Sequence, residues 1–130
     1  MTLATSPAFS GFSTDDVAAA HAFYSGVLGL EVTEEHGILT LQLDGGKRPT
    51  IVYPKGPDHV PAQYTVLNFP VEDIEAAVDE LAARGVTFER YPGSPMADAI
   101  DERGVFRGGG PLIAWFTDPA GNVLSLIVPA

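Results

Sequence analysis

Three histidines and seventeen carboxylates are the side chains of this chain that are able to bind a metal or transfer protons. Cysteine is absent, which excludes disulfides, thiolate chemistry and cysteine-bound zinc. The histidines are His21, His36 and His59, and no two of them have the i, i+4 spacing of a helical ligand pair or the i, i+2 spacing of a strand. We therefore interpret the histidines as surface residues and the carboxylates as helix caps and solvated faces.

The only tryptophan, Trp115, is the side chain best suited to stack on an aromatic molecule. It lies in the apolar stretch 113–117, which is rich in the aromatic and β-branched residues typical of strands. Two interpretations remain equally open. Trp115 forms the wall of a binding cleft, or it is a core residue whose indole N–H is satisfied within the protein.

The stretch around Trp115 has the pattern of a β-hairpin. Residues 112–129 read LIAWFTDPAGNVLSLIVP, in which two apolar runs flank the segment DPAGN. Pro119 fixes φ for a turn, while Gly121 and Asn122 tolerate positive φ. We therefore predict two strands joined by this turn, with Asp118 as a turn residue.

The first half of the chain follows the order strand, helix, strand, strand, strand. The helix is predicted to run to about residue 28, because residues 13–16 supply N-cap side chains and Gly29 ends the apolar spacing. The predicted strands of this half cover residues 9–14, 30–34, 38–43 and 50–53.

The second half repeats this order after a linker at 55–62. A strand over 64–71 precedes a helix opened by Asp73, and a strand over 86–90 precedes the hairpin. Only the glycine- and proline-rich insertion 91–111 has no counterpart in the first half. It is interpreted either as a lid or binding loop, or as a solvated surface loop.

The chain is therefore predicted to be an internal repeat within a single domain of residues 1–130. The two copies are the modules 8–54 and 63–129. Their last strands support this repeat, because GKRPTIVYP (46–54) aligns with GNVLSLIVP (121–129), with the first glycine and the last proline matched.

The chain resembles the vicinal oxygen chelate family of glyoxalases, bleomycin-resistance proteins and extradiol dioxygenases. Three features carry the resemblance: the two βαβββ modules, the DPxGN turn and the segment FYSGVLGL (23–30). The resemblance covers nearly the whole chain from about residue 8. It implies an α+β fold in which the two modules form a cupped mixed sheet with helices on the outside. It does not imply one activity, because this fold hosts many.

The resemblance also implies where a metal would bind in family enzymes. One ligand, usually His, Gln or Glu, stands on the first and on the last strand of each module. The matching positions in this chain are Phe9, Thr50, Val66 and Ser125. None of these side chains is a good ligand for a divalent metal, and two are hydrocarbon. We therefore predict no metal site, no cofactor and no catalytic residue.

A cleft is still expected, since side chains alternate along a strand and the matched positions share a face with their i±2 neighbours. Its wall would combine apolar, hydroxyl and amide side chains, which suits a small, partly aromatic ligand held by few polar contacts. Part of the insertion 91–111 is expected to cover it. The predicted ligand-binding residues are Phe9, Gln42, Thr50, Asn68, Trp115 and Ser125.

The overall composition argues against several classes of partner. The formal net charge is −10 with only seven Lys and Arg, whereas nucleic-acid binding needs a basic face. No apolar run reaches the ~20 residues of a membrane span, and the N-terminus lacks the pattern of a signal peptide. We therefore expect a cytoplasmic protein with no nucleic-acid or membrane partner and, by the resemblance, a homodimer.

The function that these observations favour is metal-free binding of a small organic molecule in the cleft, with sequestration as the mechanism, in the manner of the bleomycin-resistance branch. The acidic composition favours a cationic ligand. One alternative is an enzyme of glyoxalase or dioxygenase type, a lyase, isomerase or oxygenase with a non-standard site. Another is a ligand-free structural or regulatory dimer. Metal dependence would discriminate the enzyme from the binding protein.

Overall fold

The computed structural model describes residues 2–130, which form two compact units, one ending at Val60 and the other comprising Pro61–Ala130. Each unit has one β-sheet with helical segments, so the predicted α+β class is confirmed. The first unit contains β1 (Ser10–Thr14), α1 (Val17–His21), β2 (Val32–Glu35), β3 (Ile38–Leu41) and β4 (Thr50–Pro54). The second contains β5 (Thr65–Pro70), α2 (Ile74–Ala83), β6 (Leu112–Thr117) and β7 (Val123–Val128).

The sheet of the first unit has the strand order β1-β4-β3-β2, in which β1 and β4 are parallel and the other neighbours are antiparallel. It contains the four predicted strands, with ends shifted by one or two residues. Strand β3 ends early because a tight turn follows, in which Asp44 and Gly45 have φ of 54° and 65°. One face of the sheet is apolar and fully buried at Leu39, Leu41 and Val52.

The helical segment of the first unit differs from the single α-helix predicted. Asp16 caps it as expected, since its Oδ1 accepts a hydrogen bond of 3.0 Å from the Ala19 amide. After α1, however, the chain continues as a π-helix over Ala22–Val27, and the Leu28 amide donates to the Phe23 carbonyl five residues back. Within this segment Tyr24 is fully buried and is in ring contact with Phe12 of β1 at 6.1 Å. The apolar spacing alone did not distinguish these two helical forms.

The sheet of the second unit has the order β5-β7-β6, in which β5 is parallel to β7 and β6 is antiparallel to it. Asp73 caps α2 by accepting a hydrogen bond of 3.0 Å from the Ala76 amide. The helix buries Ile74, Val78 and Leu81, as its apolar spacing predicts, and contacts both β6 and β7.

The strand predicted over 86–90 is reduced to a single antiparallel bridge between Phe88 and Phe116. The physical reason is that the insertion competes for the same outer edge of β6. Phe106 of the insertion forms a bridge with Ile113, and its amide donates to the Ile113 carbonyl at 2.7 Å. The edge is thus shared between two short segments, neither of which is long enough to form a strand.

Both units nevertheless connect their strands in the same way. The first strand is parallel to the last, and the last is antiparallel to the strand before it. The remaining helical segments are single turns at Leu3–Thr5, Leu43–Gly46, Gly56–Asp58 and Ala97–Ala99. Across residues 2–130, none of the helices has the length and apolarity that a membrane crossing requires.

Candidate functional site

The second unit carries three of the predicted site residues in one row across its sheet. Ser125 of β7 is the registered partner of Asn68 on β5 and of Trp115 on β6, and registered partners point to the same face. Their chain neighbours Phe116 and Leu124 are fully buried on the opposite face, to which we assign α2 because the helix contacts both strands. The structure therefore brings Asn68, Ser125 and Trp115 together, on what we call the site face.

A buried polar pair stands at the centre of the site face. The Ser125 hydroxyl is inaccessible to solvent and donates a hydrogen bond of 2.6 Å to Oδ1 of Asn68, which is exposed. This bond satisfies the hydroxyl and fixes the orientation of the Asn68 amide. A bulge between Thr65 and Leu67 leaves Val66 without a registered partner in β7, so Val66 does not stand in the row with Ser125.

Trp115 is half-buried and lies between two rings that the sequence analysis did not single out. Its ring centroid is 5.6 Å from that of Tyr91 and 5.7 Å from that of Phe106. We call Tyr91, Phe106 and Trp115 the aromatic cluster. Tyr91 and Phe106 are the aromatic residues of the insertion, and their presence in a segment otherwise rich in glycine and proline was the available signal.

An open depression of about 360 Å³ lies beside the aromatic cluster. Two of its residues, Thr117 and Val123, form the pair that follows Trp115 and Ser125 on the site face. Tyr91 belongs both to this depression and to the aromatic cluster. We call it the second-unit depression, and its lining residues are Ala62, Gln63, Glu89, Tyr91, Thr117, Gly121 and Val123.

The electrostatics of the second-unit depression are set by one carboxylate and one phenol. Burial, and after it the negative charge of Glu89, raises the pKa of Tyr91 above its ordinary value. The Tyr91 hydroxyl is therefore a neutral hydrogen-bond donor at physiological pH. The depression thus offers a ligand the Tyr91 ring and hydroxyl, the hydroxyl of Thr117, the amide of Gln63 and the carboxylate of Glu89.

The DPAGN turn forms one rim of the second-unit depression and is confirmed as a structural element. Asp118 is buried, and its Oδ1 accepts hydrogen bonds from the amides of Ala120 at 3.0 Å and Asn122 at 2.8 Å. The Asn122 side chain donates to the other Asp118 oxygen at 3.1 Å and accepts from the Ala62 amide at 3.0 Å. Asp118 therefore holds the turn, and through Asn122 it fixes the segment that carries Ala62.

The insertion that supplies Tyr91 and Phe106 is anchored by a network centred on Asp101. The Asp101 carboxylate accepts hydrogen bonds from the amides of Val105 at 2.9 Å and Arg103 at 3.0 Å, and from Nε of Arg107 at 3.0 Å. Arg107 also pairs with Glu75 of α2 at 2.8 Å. Burial acts to raise the pKa of Asp101, but these hydrogen bonds and the Arg107 charge outweigh it and hold the pKa below its ordinary value.

Further contacts tie the insertion to its own unit. A second ion pair joins Arg103 to Asp79 of α2 at 3.1 Å, and the Arg90 guanidinium donates to the carbonyls of Asp101 and Glu102. The segment is therefore tied both to α2 and to the edge of β6, and two of its rings pack on Trp115. In this structure the insertion packs along the site face and is held at several points.

The three remaining predicted site residues lie in the first unit. Thr50 pairs with Ser10 and Leu41 on the buried, apolar face, and its exposure is 5%. The prediction that alternation sends Thr50 to the open face is therefore wrong for this residue. The Gln42 amide donates to the Thr33 hydroxyl at 3.1 Å, and Phe9 precedes β1 with 63% of its surface exposed.

Phe9 and Thr50 also meet at a second open depression, of about 470 Å³, on the first unit. Lys47 and Arg48 give this depression a basic character, although Arg48 is paired with Asp44 at 3.3 Å. Gln42 does not line it. The complete lining is Ala8, Phe9, Ser10, Lys47, Arg48, Pro49 and Thr50.

The side chains at the four positions matched to family metal ligands do not fit a divalent metal. Phe9 and Val66 are hydrocarbon, Thr50 is buried against the apolar face, and the Ser125 hydroxyl is already bonded to Asn68. Within residues 2–130, no three His, Asp or Glu side chains are grouped closely enough to hold a metal ion.

The histidines are engaged in local contacts. The Nδ1 atom of His59 lies 2.7 Å from the Ser13 hydroxyl, and that of His21 lies 3.3 Å from the Ser25 hydroxyl. His36 is in a turn with φ of 55° and forms an exposed pair with Glu35 at 3.7 Å. The sequence analysis interpreted the three as surface residues; in the structure His36 is exposed, and His21 and His59 are half-buried.

Comparison with known families matches residues 8–126 to the model of the Glyoxalase/Bleomycin resistance protein/Dioxygenase superfamily. This confirms the resemblance inferred from the βαβββ repeat and the DPxGN turn. A search of curated proteins finds no match.

Solved structures support the same fold at low sequence identity. A glyoxalase/bleomycin resistance protein from Catenulispora acidiphila is 22% identical, with 95% of this chain and 97% of that chain covered and a TM-score of 0.61. TnmS3, an antibiotic binding protein from Streptomyces sp. CB03234, is 23% identical over 99% of this chain and 100% of its own, with a TM-score of 0.65. An integron cassette protein of Vibrio cholerae is 18% identical over 100% and 98%, with a TM-score of 0.63. The glyoxalase-like fold is thereby confirmed.

Proposed function

Because the chain belongs to the glyoxalase/bleomycin resistance protein/dioxygenase superfamily, we propose that it binds a small organic molecule on the site face of its second unit, without a metal. The observation that carries this proposal is the half-buried Trp115 held between the rings of Tyr91 and Phe106. The proposed site combines this aromatic cluster with the polar pair of Asn68 and Ser125 and with the second-unit depression beside them.

The residue types at this place suit recognition of a partly aromatic molecule. The depression is open, so a ligand can reach Tyr91 and Thr117 without opening the core. Stacking on an aromatic side chain contributes about 0.5–1.5 kcal/mol beyond burial of apolar area. The few polar groups, among them the exposed amide of Asn68, would fix the orientation of the ligand.

Binding is favoured over glyoxalase- or dioxygenase-type catalysis by the chemistry of the four matched positions. Hydrocarbon side chains at Phe9 and Val66 cannot coordinate a metal, and the Ser125 hydroxyl is inaccessible and hydrogen-bonded. The antibiotic-binding activity given for TnmS3, which has the same fold, is consistent with a role of this kind. The mechanism we propose is sequestration of the ligand, with no bond made or broken.

Fluorescence of the single tryptophan tests the proposal directly. Purified protein is titrated with a panel of aromatic antibiotics and metabolites, and a ligand that binds at the site is expected to quench Trp115 emission and to raise the melting temperature. Trp115→Phe should remove the optical signal while keeping the thermal shift. Elemental analysis after mild dialysis should give no stoichiometric zinc, nickel, iron or manganese.

Two results would contradict the proposal. About one tightly held metal ion per chain would show that the matched positions do not describe the metal chemistry of this protein. A panel ligand that raises the melting temperature but leaves Trp115 emission unchanged would place the binding site elsewhere.

A further inference from the structure

We propose that the second-unit depression selects aromatic molecules that carry a positive charge at neutral pH. This inference rests on the proposed function and specifies the ligand class of the same site. It is carried by the placement of Glu89 and Tyr91 on one wall of the depression and by the engagement of the neighbouring arginine elsewhere.

Glu89 is the one acidic or basic side chain among the seven lining residues. The cation adjacent in sequence, Arg90, donates from both terminal nitrogens to the carbonyls of Asp101 and Glu102 in the insertion. The Glu89 amide donates to the Trp115 carbonyl at 2.7 Å, so the backbone at this carboxylate is fixed to β6. The depression therefore presents one carboxylate, carried on a backbone that is hydrogen-bonded to β6.

Tyr91 adds an aromatic surface that, like Glu89, attracts a cation. Its phenol stays protonated at neutral pH, so it contributes no charge, and the face of its ring carries negative potential that attracts a cation. The ring is held in place by its contact with Trp115 at 5.6 Å. A ligand with an aromatic group and an ammonium group can thus contact the cluster with one end and Glu89 with the other.

The net charge of the whole chain also favours a cationic ligand. Seventeen carboxylates against seven basic residues give a formal net charge of −10. Such a field attracts cations and repels anions over about one Debye length, roughly 10 Å at 0.1 M salt. An anionic aromatic molecule would meet both this field and the Glu89 carboxylate.

Three probes that share a phenyl-CH₂ group and differ in charge test the inference: benzylamine, benzyl alcohol and phenylacetate. Their dissociation constants are measured by NMR titration, following the amides of Glu89, Tyr91 and Thr117 at low ionic strength. Benzylamine is expected to bind about threefold to fivefold more tightly than benzyl alcohol, the size of a partly exposed ion pair, and phenylacetate most weakly. Glu89→Gln should remove most of the preference for benzylamine over benzyl alcohol.

Glu72→Gln is the matched control, because it removes the same charge from an exposed position of the same unit outside the depression. It should leave the preference for benzylamine in place. Equal affinities for the three probes, or equal losses in the two variants, would overturn the charge inference while the proposed binding site stands. Failure of every probe to shift these amides would overturn the site as well.

Discussion

At the scale of single residues, Trp115 combines features of a core residue and of a ligand wall. Its exposure is intermediate, while its neighbours Ala114 and Phe116 are fully buried. Two rings of the insertion pack against the indole, which a core tryptophan would also show. Half-burial next to an open depression is what a preformed aromatic wall requires.

Trp115→Ala is therefore expected to weaken ligand binding without unfolding the protein. Loss of stacking at 0.5–1.5 kcal/mol corresponds to roughly a twofold to tenfold increase in the dissociation constant. The free energy of unfolding should fall by less than the roughly 3–5 kcal/mol typical of a fully buried aromatic side chain. Calorimetric titration and denaturant unfolding followed by circular dichroism measure the two effects.

Trp115→Phe serves as the control for this experiment, since it keeps a ring between Tyr91 and Phe106 and should retain most of the affinity. If Trp115→Ala instead unfolds the chain while the ligand contacts lie elsewhere on the protein, Trp115 is a core residue. The assignment of the site face as a binding surface would then fail.

Thr50 shows why residue orientation was predicted less well than secondary structure. The structure gives a different alignment of the two units. The sixth residue before the capping aspartate is Ser10 in the first unit and Leu67 in the second, and these residues pair with Thr50 and Leu124, respectively. Thr50 therefore corresponds to Leu124. The glycine-to-proline alignment had matched Thr50 with Ser125 instead. A slip of one residue reverses the face of every side chain on a strand, so a small alignment error moved Thr50 from the buried face to the open one.

At the scale of elements, the insertion has the largest influence on the site. The insertion is anchored by Asp101, which lies between Tyr91 and Phe106 in sequence. The Asp101 carboxylate accepts hydrogen bonds from two backbone amides of the insertion and from the side chain of Arg107. Arg107 follows Phe106 directly and is tied to α2 through Glu75. The position of the Phe106 ring on Trp115 therefore depends on a network that no ligand needs to touch.

Asp101→Asn should loosen this wall at neutral pH. The amide keeps one oxygen for the backbone donors but loses the ion pair with Arg107. Because the pKa of Asp101 is lowered in the folded protein, its stabilising contribution is present above the unfolded carboxyl pKa of about 4 and is lost as the pH falls through the lower folded value. Wild type should therefore be more stable than the variant at pH 7, and the difference should shrink below about pH 4.

Denaturant unfolding monitored by Trp115 emission measures this difference at each pH, because the indole contacts Phe106. Glu102→Gln is the matched control, since Glu102 is the exposed carboxylate next in sequence. A difference between wild type and Asp101→Asn that does not change from pH 7 to pH 3 would show that the ionised carboxylate does not anchor the insertion.

Much of the element pattern was predictable from sequence because its signals are local. Asp16 and Asp73 cap their helices, and the DPAGN turn forms as expected. The aromatic cluster was not predictable in this way, because Tyr91 and Trp115 are brought together by tertiary packing of an insertion without periodic pattern. The strand at 86–90 was over-predicted because competition for the edge of β6 is likewise a tertiary effect.

At the scale of the whole molecule, we propose that the chain is one glyoxalase-like domain with modules 8–54 and 63–129 that assembles as a homodimer. The proposal comes from the family resemblance and from the matching strand connectivity of the two units. Sedimentation velocity at micromolar concentrations should give a mass near 27 kDa, twice the 13.7 kDa of one chain. A single monomeric species throughout this concentration range would reject the dimer.

The shared outer edge of β6 also has a consequence for self-association. Unpaired backbone groups at a sheet edge are the usual template for adding strands from other molecules, and hence for fibril growth. On β6 these groups are occupied by the amides of Glu89 and Phe106, each at 2.7 Å from a β6 carbonyl. A foreign strand can add at this edge only by displacing the segments that hold Tyr91 and Phe106 on Trp115. The same contacts that shape the proposed site thus protect this edge of the sheet from aggregation.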